Sequence, residues 1–429
     1  MVIGYDTRFA SEDFAIAVAG VFAGNGIKVY LCNKSTPTPV VSFGVVNQKA
    51  GGAIIITASH NPAKWNGFKF RIENGASAPS EVIAELEKHI AHASVTESIK
   101  QISLEQARQQ GLVEYIDLTP AYFDRIASLI DLNAIRQARM KVIIDPMHGA
   151  GAGYLKTLLD GGVIKLIEIN GERNPAFPGI QPEPIAVNLA KLSAAVRNQK
   201  ANVGLASDGD ADRIGVIDEN GDFITQLQVF ALLCLYLLEI RGERGPIVKT
   251  ITTTSMVDRL GEIYKVPVHE TSVGFKYVAP IMESQNAIIG GEESGGYGFR
   301  GHIPERDAII ASLYFLDLMV KSGKSPTQLL DYLYRQVGPH YYERIDIEFP
   351  ASEHQRIVYR LKSSMPRAIE GVEVVKTNTT DGFRFILADN TWLLIRFSGT
   401  EPILRIYTES DSKTRVKKLL DFGRSLAGV

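Results

Sequence analysis

The sequence predicts an α/β protein of three similar units, followed by a carboxyl-terminal α+β unit. Three observations carry this expectation. Short apolar strands without alternation lead through loops into helices; that order restarts near Val142 and again near Pro246; and from about His340 hairpin-linked strands replace it. A chain of 429 residues is too long for one core, and roughly three or four domains are expected.

In the first unit, Val2-Ile3-Gly4-Tyr5 reads as a buried strand. Ser11 is expected to cap a helix with Glu12 and Asp13 in its first turn, ended by Gly24 to Gly26. Ile27 to Leu31 is a second strand. Ala53-Ile54-Ile55-Ile56 is a third, four apolar residues in a row, as in a sheet covered on both faces. The second unit opens with Val142 to Asp145, passes through Gly149-Ala150-Gly151 and enters a helix ending near Asp160-Gly161-Gly162. The third opens with Pro246-Ile247-Val248 and leads through threonines into a helix over Met256 to Tyr264. The last unit has strands at Tyr341 to Phe349, Val372 to Lys376, Gly382 to Leu387 and Trp392 to Phe397. Helices near 352–363 and 412–427 flank them. Charged linkers around 95–117 and Arg241 to Gly245 place the domains at 1–117, 118–243, 244–339 and 340–429.

Composition narrows the function classes. Hydrophobic content of 45%, charged content of 22% and a net charge of −2 describe a soluble globular protein with no field for nucleic acid or an anionic membrane. An anionic substrate therefore needs a local basic site. The longest apolar stretch, Phe230 to Leu238, is far short of the ~20 residues of a membrane span. Cys32 and Cys234 lack metal-ligand spacing and read as buried thiols in a reducing compartment. No signal-peptide pattern opens the chain, so a cytoplasmic location is expected.

Four loops carry chemistry. Thr57-Ala58-Ser59-His60-Asn61-Pro62 follows the third buried strand, where open α/β sheets place their ligands; a Ser/Asn-Pro turn is the competing reading. Gly-x-Ser-x-Gly is absent, so a nucleophilic Ser59 would act on something other than an activated acyl group. Asp208-Gly209-Asp210-Ala211-Asp212-Arg213 sets three carboxylates at alternate positions, which repel strongly without a cation; hard oxygen ligands suit Mg²⁺ or Ca²⁺. An EF-hand would put Glu219 at its twelfth position, but Arg213 stands where its glycine belongs and the flanks read as strands. A solvated acidic turn is the bland alternative. Gly290-Gly291-Glu292-Glu293-Ser294-Gly295-Gly296 suits sugar hydroxyls or is a flexible turn. Arg396-Phe397-Ser398-Gly399-Thr400-Glu401-Pro402 offers a cation, hydroxyls and turn N–H groups, a phosphate cradle in chemical terms. Arg405 joins it or is an ordinary strand arginine.

Taken together and in this order, the four loops closely resemble the α-D-phosphohexomutase family of phosphoglucomutase and phosphomannomutase type. The resemblance runs along essentially the whole chain. It implies three mixed-sheet α/β domains and a smaller α+β domain around a central cleft. It further implies a phosphoserine at Ser59 and one Mg²⁺ held by Asp208, Asp210, Asp212 and Ser59. His60, Lys69 and Arg213 match active-site positions. Arg8, Lys276, Glu292, Ser294, Arg396, Ser398, Gly399, Thr400 and Arg405 would bind substrate. The implied activity interconverts hexose 1-phosphate and hexose 6-phosphate through a hexose 1,6-bisphosphate, with glucose 1,6-bisphosphate as activator and the chain acting as monomer or dimer. Gly-Glu-Glu-Ser in the sugar loop, Gly274-Phe275-Lys276 and His302-Ile303-Pro304-Glu305-Arg306-Asp307 are more similar to phosphoglucomutases, so glucose phosphates are favoured and mannose phosphates come second. Glucosamine phosphate is less expected.

One departure stands out. Family members usually carry a strand, a helix and a Gly-x-Arg-Gly motif before the segment resembling Gly4-Tyr5-Asp6-Thr7-Arg8. About forty such residues are not seen here, which predicts an exposed sheet edge. The alternative function is therefore a catalytically weakened sugar-phosphate-binding member. A phosphatase or kinase-like enzyme is disfavoured by the absence of a Walker A loop and of the kinase Gly-rich set.

Overall fold

The computed structural model describes residues 1–96, 99–398 and 402–429. Its first sheet holds β1 (Val2–Tyr5), β2 (Val29–Cys32), β3 (Ala53–Ile56), β4 (Phe68–Arg71) and β5 (Val113–Ile116), in the order β4-β3-β1-β2-β5. The second holds β6 (Lys141–Asp145), β7 (Lys165–Glu168), β8 (Val203–Ser207), β9 (Ile214–Ile217) and β10 (Phe223–Ile224), in the order β10-β9-β8-β6-β7. The third holds β11 (Ile247–Thr250), β12 (Val268–Thr271), β13 (Ile289–Gly291) and β14 (Tyr297–Phe299), in the order β12-β11-β13-β14. In each, the opening strand lies parallel between the second and third, and the fourth returns antiparallel beside the third. One topology is used three times.

The fourth sheet is antiparallel throughout. It holds β15 (Tyr341–Glu348), β16 (Ala368–Ile369), β17 (Val372–Asn378), β18 (Phe383–Leu387), β19 (Trp392–Phe397) and β20 (Ile403–Ser410), in the order β15-β20-β19-β18-β17-β16.

The unbroken apolar strands are buried on both faces. Ile3, Leu31, Ile54 and Ile56 pack against Ala15 and Ala19 of the helix Ser11–Gly24. Val2, Cys32, Ala53 and Ile55 face Val40, Val41 and Val45 of the helix Thr38–Asn47 and a core continuous with the second and third units. The run Phe230 to Leu238 lies in that shared core, spanning the helix Gln226–Leu235 and a π turn Tyr236–Ile240. Among the described residues, no helix is long and apolar enough to cross a membrane. Both cysteines are buried free thiols.

Several expectations are corrected. Ser11 does not cap its helix: Ala10 takes the capping position with φ 57°, and the Ser11 hydroxyl donates to Asp6 Oδ1 at 2.8 Å. The second strand starts at Val29, beyond the turn at Gly26, and the helix after Gly151 is only Tyr154–Leu158. The supposed charged linker contains the helix Leu104–Gln109, capped by Ser103 and Gln106, and then β5. Its charges lie on an exposed face while Ala107 and Val113 enter the core. Strand β20 was missed, because its buried Thr408, Glu409 and Ser410 blur the alternation that marks a strand.

The repeated topology places the chemistry. The loops 57–67, 208–213 and 292–296 each leave the carboxyl end of the third strand and enter the antiparallel fourth. They are equivalent positions of one fold, beside the point where strand order reverses.

Candidate active site

Ser59 is held from below. It has φ 51°, in the left-handed region that non-glycine residues seldom enter. Its N–H donates to Thr57 Oγ1 at 2.8 Å, and the Thr57 hydroxyl donates to Asp6 Oδ2 at 2.6 Å. Arg8 is wholly buried beneath the loop. Its guanidinium donates to the carbonyls of Ser59 (2.7 Å), Asn61 (2.6 Å), Pro62 (3.0 Å) and Trp65 (3.0 Å), and its Nε pairs with Asp6 Oδ2 at 3.1 Å. Arg8, expected at the substrate, has a side chain that is 0% exposed and bonded to loop carbonyls. Burial pushes the Asp6 carboxyl up, with Thr57 and Arg8 pulling against it.

The Ser59 hydroxyl donates to Asp208 Oδ2 at 2.9 Å, joining the first loop to the second. Gly209 is required at this junction, since a Cβ there would lie 2.6 Å from the Ser59 carbonyl oxygen. Asp208, Asp210 and Asp212 are all fully buried, and their ligand oxygens fall within 4.8 Å of one another. Asp208 Oδ1 accepts from the N–H groups of Asp212 (2.9 Å) and Arg213 (3.1 Å). Asp210 Oδ2 accepts from Thr38 Oγ1 (2.5 Å) and Lys69 Nζ (2.6 Å). Two oxygens, Asp210 Oδ1 and Asp212 Oδ1, are buried without a hydrogen-bond partner. Burial and the neighbouring Asp212 and Asp210 push the Asp208 carboxyl well up. At Asp210, Lys69 and Thr38 overcome the burial and hold the group down. An all-oxygen donor set with orphaned oxygens fits a hard divalent cation such as Mg²⁺.

Three predicted residues surround this cluster. Lys69 on β4 lies between Asp210 and Asp212, 3.5 Å from Asp212 Oδ2. His60 Nδ1 is 3.5 Å from Ser59 Oγ; burial, then Arg213, pulls its imidazole down to about 2, so the ring is neutral. Arg213 reaches toward Glu183 (3.9 Å) and Asp212 (3.8 Å).

The sugar-loop candidates join through a residue the sequence reading did not select. Glu292 is buried and its Oε2 accepts from Arg306 Nη1 at 3.1 Å. Arg306 Nη2 lies 2.8 Å from Asp212 Oδ2, and its Nε lies 3.1 Å from Glu305 Oε1. Glu293 is gripped from the fourth unit, by Tyr342 Oη at 2.9 Å and Arg344 Nη1 at 3.2 Å. Ser294 is half-buried in the same turn, and Lys276 is exposed at the start of the helix Phe275–Gln285.

In the fourth unit, Arg396 and Arg405 stand directly opposite on β19 and β20. Like charges so placed repel. Asp381 accepts from Arg396 Nε at 2.8 Å, and Asp346 lies 3.6 Å from Arg405 Nε. Asp381 also accepts from the Val273 N–H at 2.8 Å, two positions before Phe275, so this basic pair faces the third unit's loop. Ser398 is half-buried beside it; Gly399 and Thr400 lie outside the described residues. Glu183 lies 3.9 Å from Arg213 Nη1. Burial pushes its carboxyl up, while Arg213 from the second unit and Arg344 and Arg405 from the fourth pull it down. No local motif marks Glu183, Arg306 or Arg344 in the sequence; the only signal was that Arg306 stands in the segment 302–307.

Comparison with known proteins places the whole chain in one family. The phosphoglucomutase/phosphomannomutase α/β/α domains I, II and III match residues 1–97, 120–221 and 226–337, and the C-terminal domain of that family matches 359–424. A phosphoglucomutase/phosphomannomutase of Thermococcus kodakarensis is 32% identical over 426 residues, 99% of this chain and 89% of its own. A phosphoglucosamine/phosphogalactosamine mutase of Sulfurisphaera tokodaii is 29% identical, over 98% of this chain and 90% of its own. A solved structure from Thermus thermophilus, described as a candidate phosphomannomutase, superposes with a TM-score of 0.86 at 35% identity, covering 100% of this chain and 90% of that one.

Proposed function

This chain belongs to the phosphoglucomutase/phosphomannomutase family of phosphohexomutases, intramolecular phosphotransferases, and from that premise we propose that it interconverts glucose 1-phosphate and glucose 6-phosphate, with mannose phosphates second. The observation that carries the reading is the contact between Ser59 Oγ and Asp208, inside a buried carboxylate cluster with two orphaned oxygens. Ser59 carries the phosphate, donates it to a sugar hydroxyl to give the 1,6-bisphosphate, and recovers the other phosphate after the intermediate turns over.

Asp208, Asp210 and Asp212 would hold Mg²⁺, which supplies neutralisation of charge on the transferring phosphoryl group. The chain's own groups do the rest. Arg8 and Thr57 orient Ser59 through its backbone. Lys69 Nζ, 2.6 Å from Asp210, adds positive charge beside the transferring group and would exchange a proton with the attacking or leaving hydroxyl. Neutral His60 can hydrogen-bond at Ser59 without adding charge. Glu292 and Ser294 bind sugar hydroxyls. Arg396, Ser398 and Arg405, with Gly399, Thr400 and Lys276, hold the phosphate that is not reacting. A basic pair on a separate sheet suits a substrate that must reverse end for end.

The test is conversion of glucose 1-phosphate with Mg²⁺ and trace glucose 1,6-bisphosphate, run beside mannose 1-phosphate and glucosamine 1-phosphate. Turnover lost in Ser59→Ala, with ³²P retained stoichiometrically by the wild-type chain, is the expected outcome. Near-normal turnover of Ser59→Ala would end the phosphoserine assignment. A preference for mannose or glucosamine phosphate would overturn the glucose assignment alone.

A further inference from the structure

Arg306 sits among three carboxylates drawn from different functions. One arm meets Asp212 Oδ2 (2.8 Å) in the carboxylate cluster, another meets Glu292 Oε2 (3.1 Å) in the sugar loop, and its Nε meets Glu305 Oε1 (3.1 Å). Glu305 is completely buried and pairs with Arg71 Nη2 at 2.9 Å. It also accepts from the Ser77 hydroxyl at 2.7 Å and from the Arg306 backbone N–H at 2.9 Å. Arg71 lies two positions from Lys69 on β4, hence on the same face.

The result is a continuous chain of alternating charge: Asp210, Lys69, Asp212, Arg306, Glu305 and Arg71, with Glu292 branching from Arg306. It crosses three units of the fold. Burial pushes the Glu305 carboxyl up, but Arg71 and Arg306 prevail and hold it at about 2. The backbone reinforces the link, since the Ala308 N–H donates to the Ala211 carbonyl at 3.1 Å.

We propose that Arg306 is a positioning residue that couples cation binding at the aspartate cluster to sugar binding at Glu292, with Glu305 and Arg71 as its anchor. This rests on the assignments made above for those two sites. The planar guanidinium can hold two carboxylates in one fixed geometry, which an ammonium cannot. Asp212 Oδ1 is the orphaned oxygen and Oδ2 is the one bound to Arg306. Arg306 thus fixes the carboxylate through Oδ2 and leaves Oδ1, 3.8 Å from Arg213 Nε, without a hydrogen bond. A sugar that immobilises Glu292 immobilises Arg306, and the aspartate is then already ordered when the cation arrives. By linkage, the cation tightens the sugar phosphate by the same factor.

The experiment is calorimetric titration of Mg²⁺ into the dephosphorylated full chain, with and without saturating glucose 1-phosphate, which cannot turn over in that state. In the wild type, glucose 1-phosphate should tighten Mg²⁺ by about fivefold or more. Arg306→Ala should bring that ratio to within about twofold of unity while Mg²⁺ still binds, and Glu292→Gln should do the same. Arg306→Lys should recover the affinity for Mg²⁺ but not the coupling, and it keeps the test valid if the alanine variant misfolds. A coupling ratio unchanged in Arg306→Lys or Glu292→Gln, with both ligands bound, overturns the inference and leaves the proposed function intact. Failure of Mg²⁺ to bind the wild-type chain would instead overturn the metal assignment, and the inference with it.

Discussion

Replacing Arg8 by methionine separates a scaffold role from a substrate role. The side chain is 0% exposed, pairs with Asp6 at 3.1 Å and donates to four carbonyls at 2.6 to 3.0 Å. Methionine fills much of the volume and removes every donor. Breaking a buried ion pair by removing one partner costs roughly 3–5 kcal/mol. The loop bonds belong to the same network, so their ~1.5–3 kcal/mol each overlaps with that figure. Taking ~4 kcal/mol in all, and roughly 4 °C per kcal/mol for a domain of this size, the first unit should melt about 15 °C lower. Scanning calorimetry reads this, and hydrogen exchange across residues 57–67 localises it. Asp6→Asn/Arg8→Met should recover part of the loss, because no unpaired charge then stays buried.

The pH dependence has a definite sign. The Asp6 carboxyl is already pushed up by burial, and without Arg8 it rises further. A raised carboxyl contributes stability that is present below its unfolded value and lost as pH rises through its folded value. The Arg8→Met deficit should therefore be smaller near about pH 5 than near about pH 8. A variant that melts within about 3 °C of the wild type, while KM rises tenfold or more, would refute the scaffold role and return Arg8 to the substrate.

Other perturbations address other parts of the molecule. Arg396→Ala should raise KM about 10- to 100-fold with kcat within about threefold, as expected for lost charge-assisted bonds to a non-reacting phosphate; steady-state kinetics checks it, and an equal fall in kcat would contradict it. Saturating Mg²⁺ at about 100 times its Kd should stabilise the chain by roughly 2.7 kcal/mol, visible as a raised melting temperature that Asp210→Asn largely abolishes. Glu409 is buried between the third and fourth units, where it accepts from Thr254 Oγ1 (2.5 Å), the Ser255 N–H (2.7 Å) and Trp392 Nε1 (3.1 Å). Burial raises its carboxyl, but His340, Ser255 and Thr254 hold it at about 2. That lowered value contributes about 3 kcal/mol above the ordinary carboxylate range, lost as pH falls from about 4.5 toward about 2. Glu409→Gln should flatten that loss, read by the fluorescence of Trp392.

The strands β1, β3 and β6 and the helix Met256–Tyr264 were legible because apolar runs mark buried strands and apolar residues at helical spacing mark a helix with one buried face. The candidate loops were legible for a similar reason. Ser59, the three aspartates and Glu292 each stand in a short run whose residue types suit one chemistry. The chemistry of Arg8 suits a substrate, and only the tertiary structure shows it buried with its guanidinium on four loop carbonyls. Strand β20 escaped because the polar residues at its end are buried against the third unit, where Thr254 and Ser255 satisfy Glu409.

By itself the sequence determined the repeated α/β grammar, the change of architecture near His340 and the residue types of four reactive loops. Only the tertiary structure decided which of those loops meet. Ser59 reaches an aspartate 149 positions away, and Arg306 ties that aspartate's neighbour to the sugar loop and, through Glu305, to β4. The physical reason is one of range. A loop's hydrogen-bonding and charge chemistry is written in a few adjacent residues, whereas the distance between two loops is set by how whole sheets pack, and that depends on contacts from everywhere in the chain.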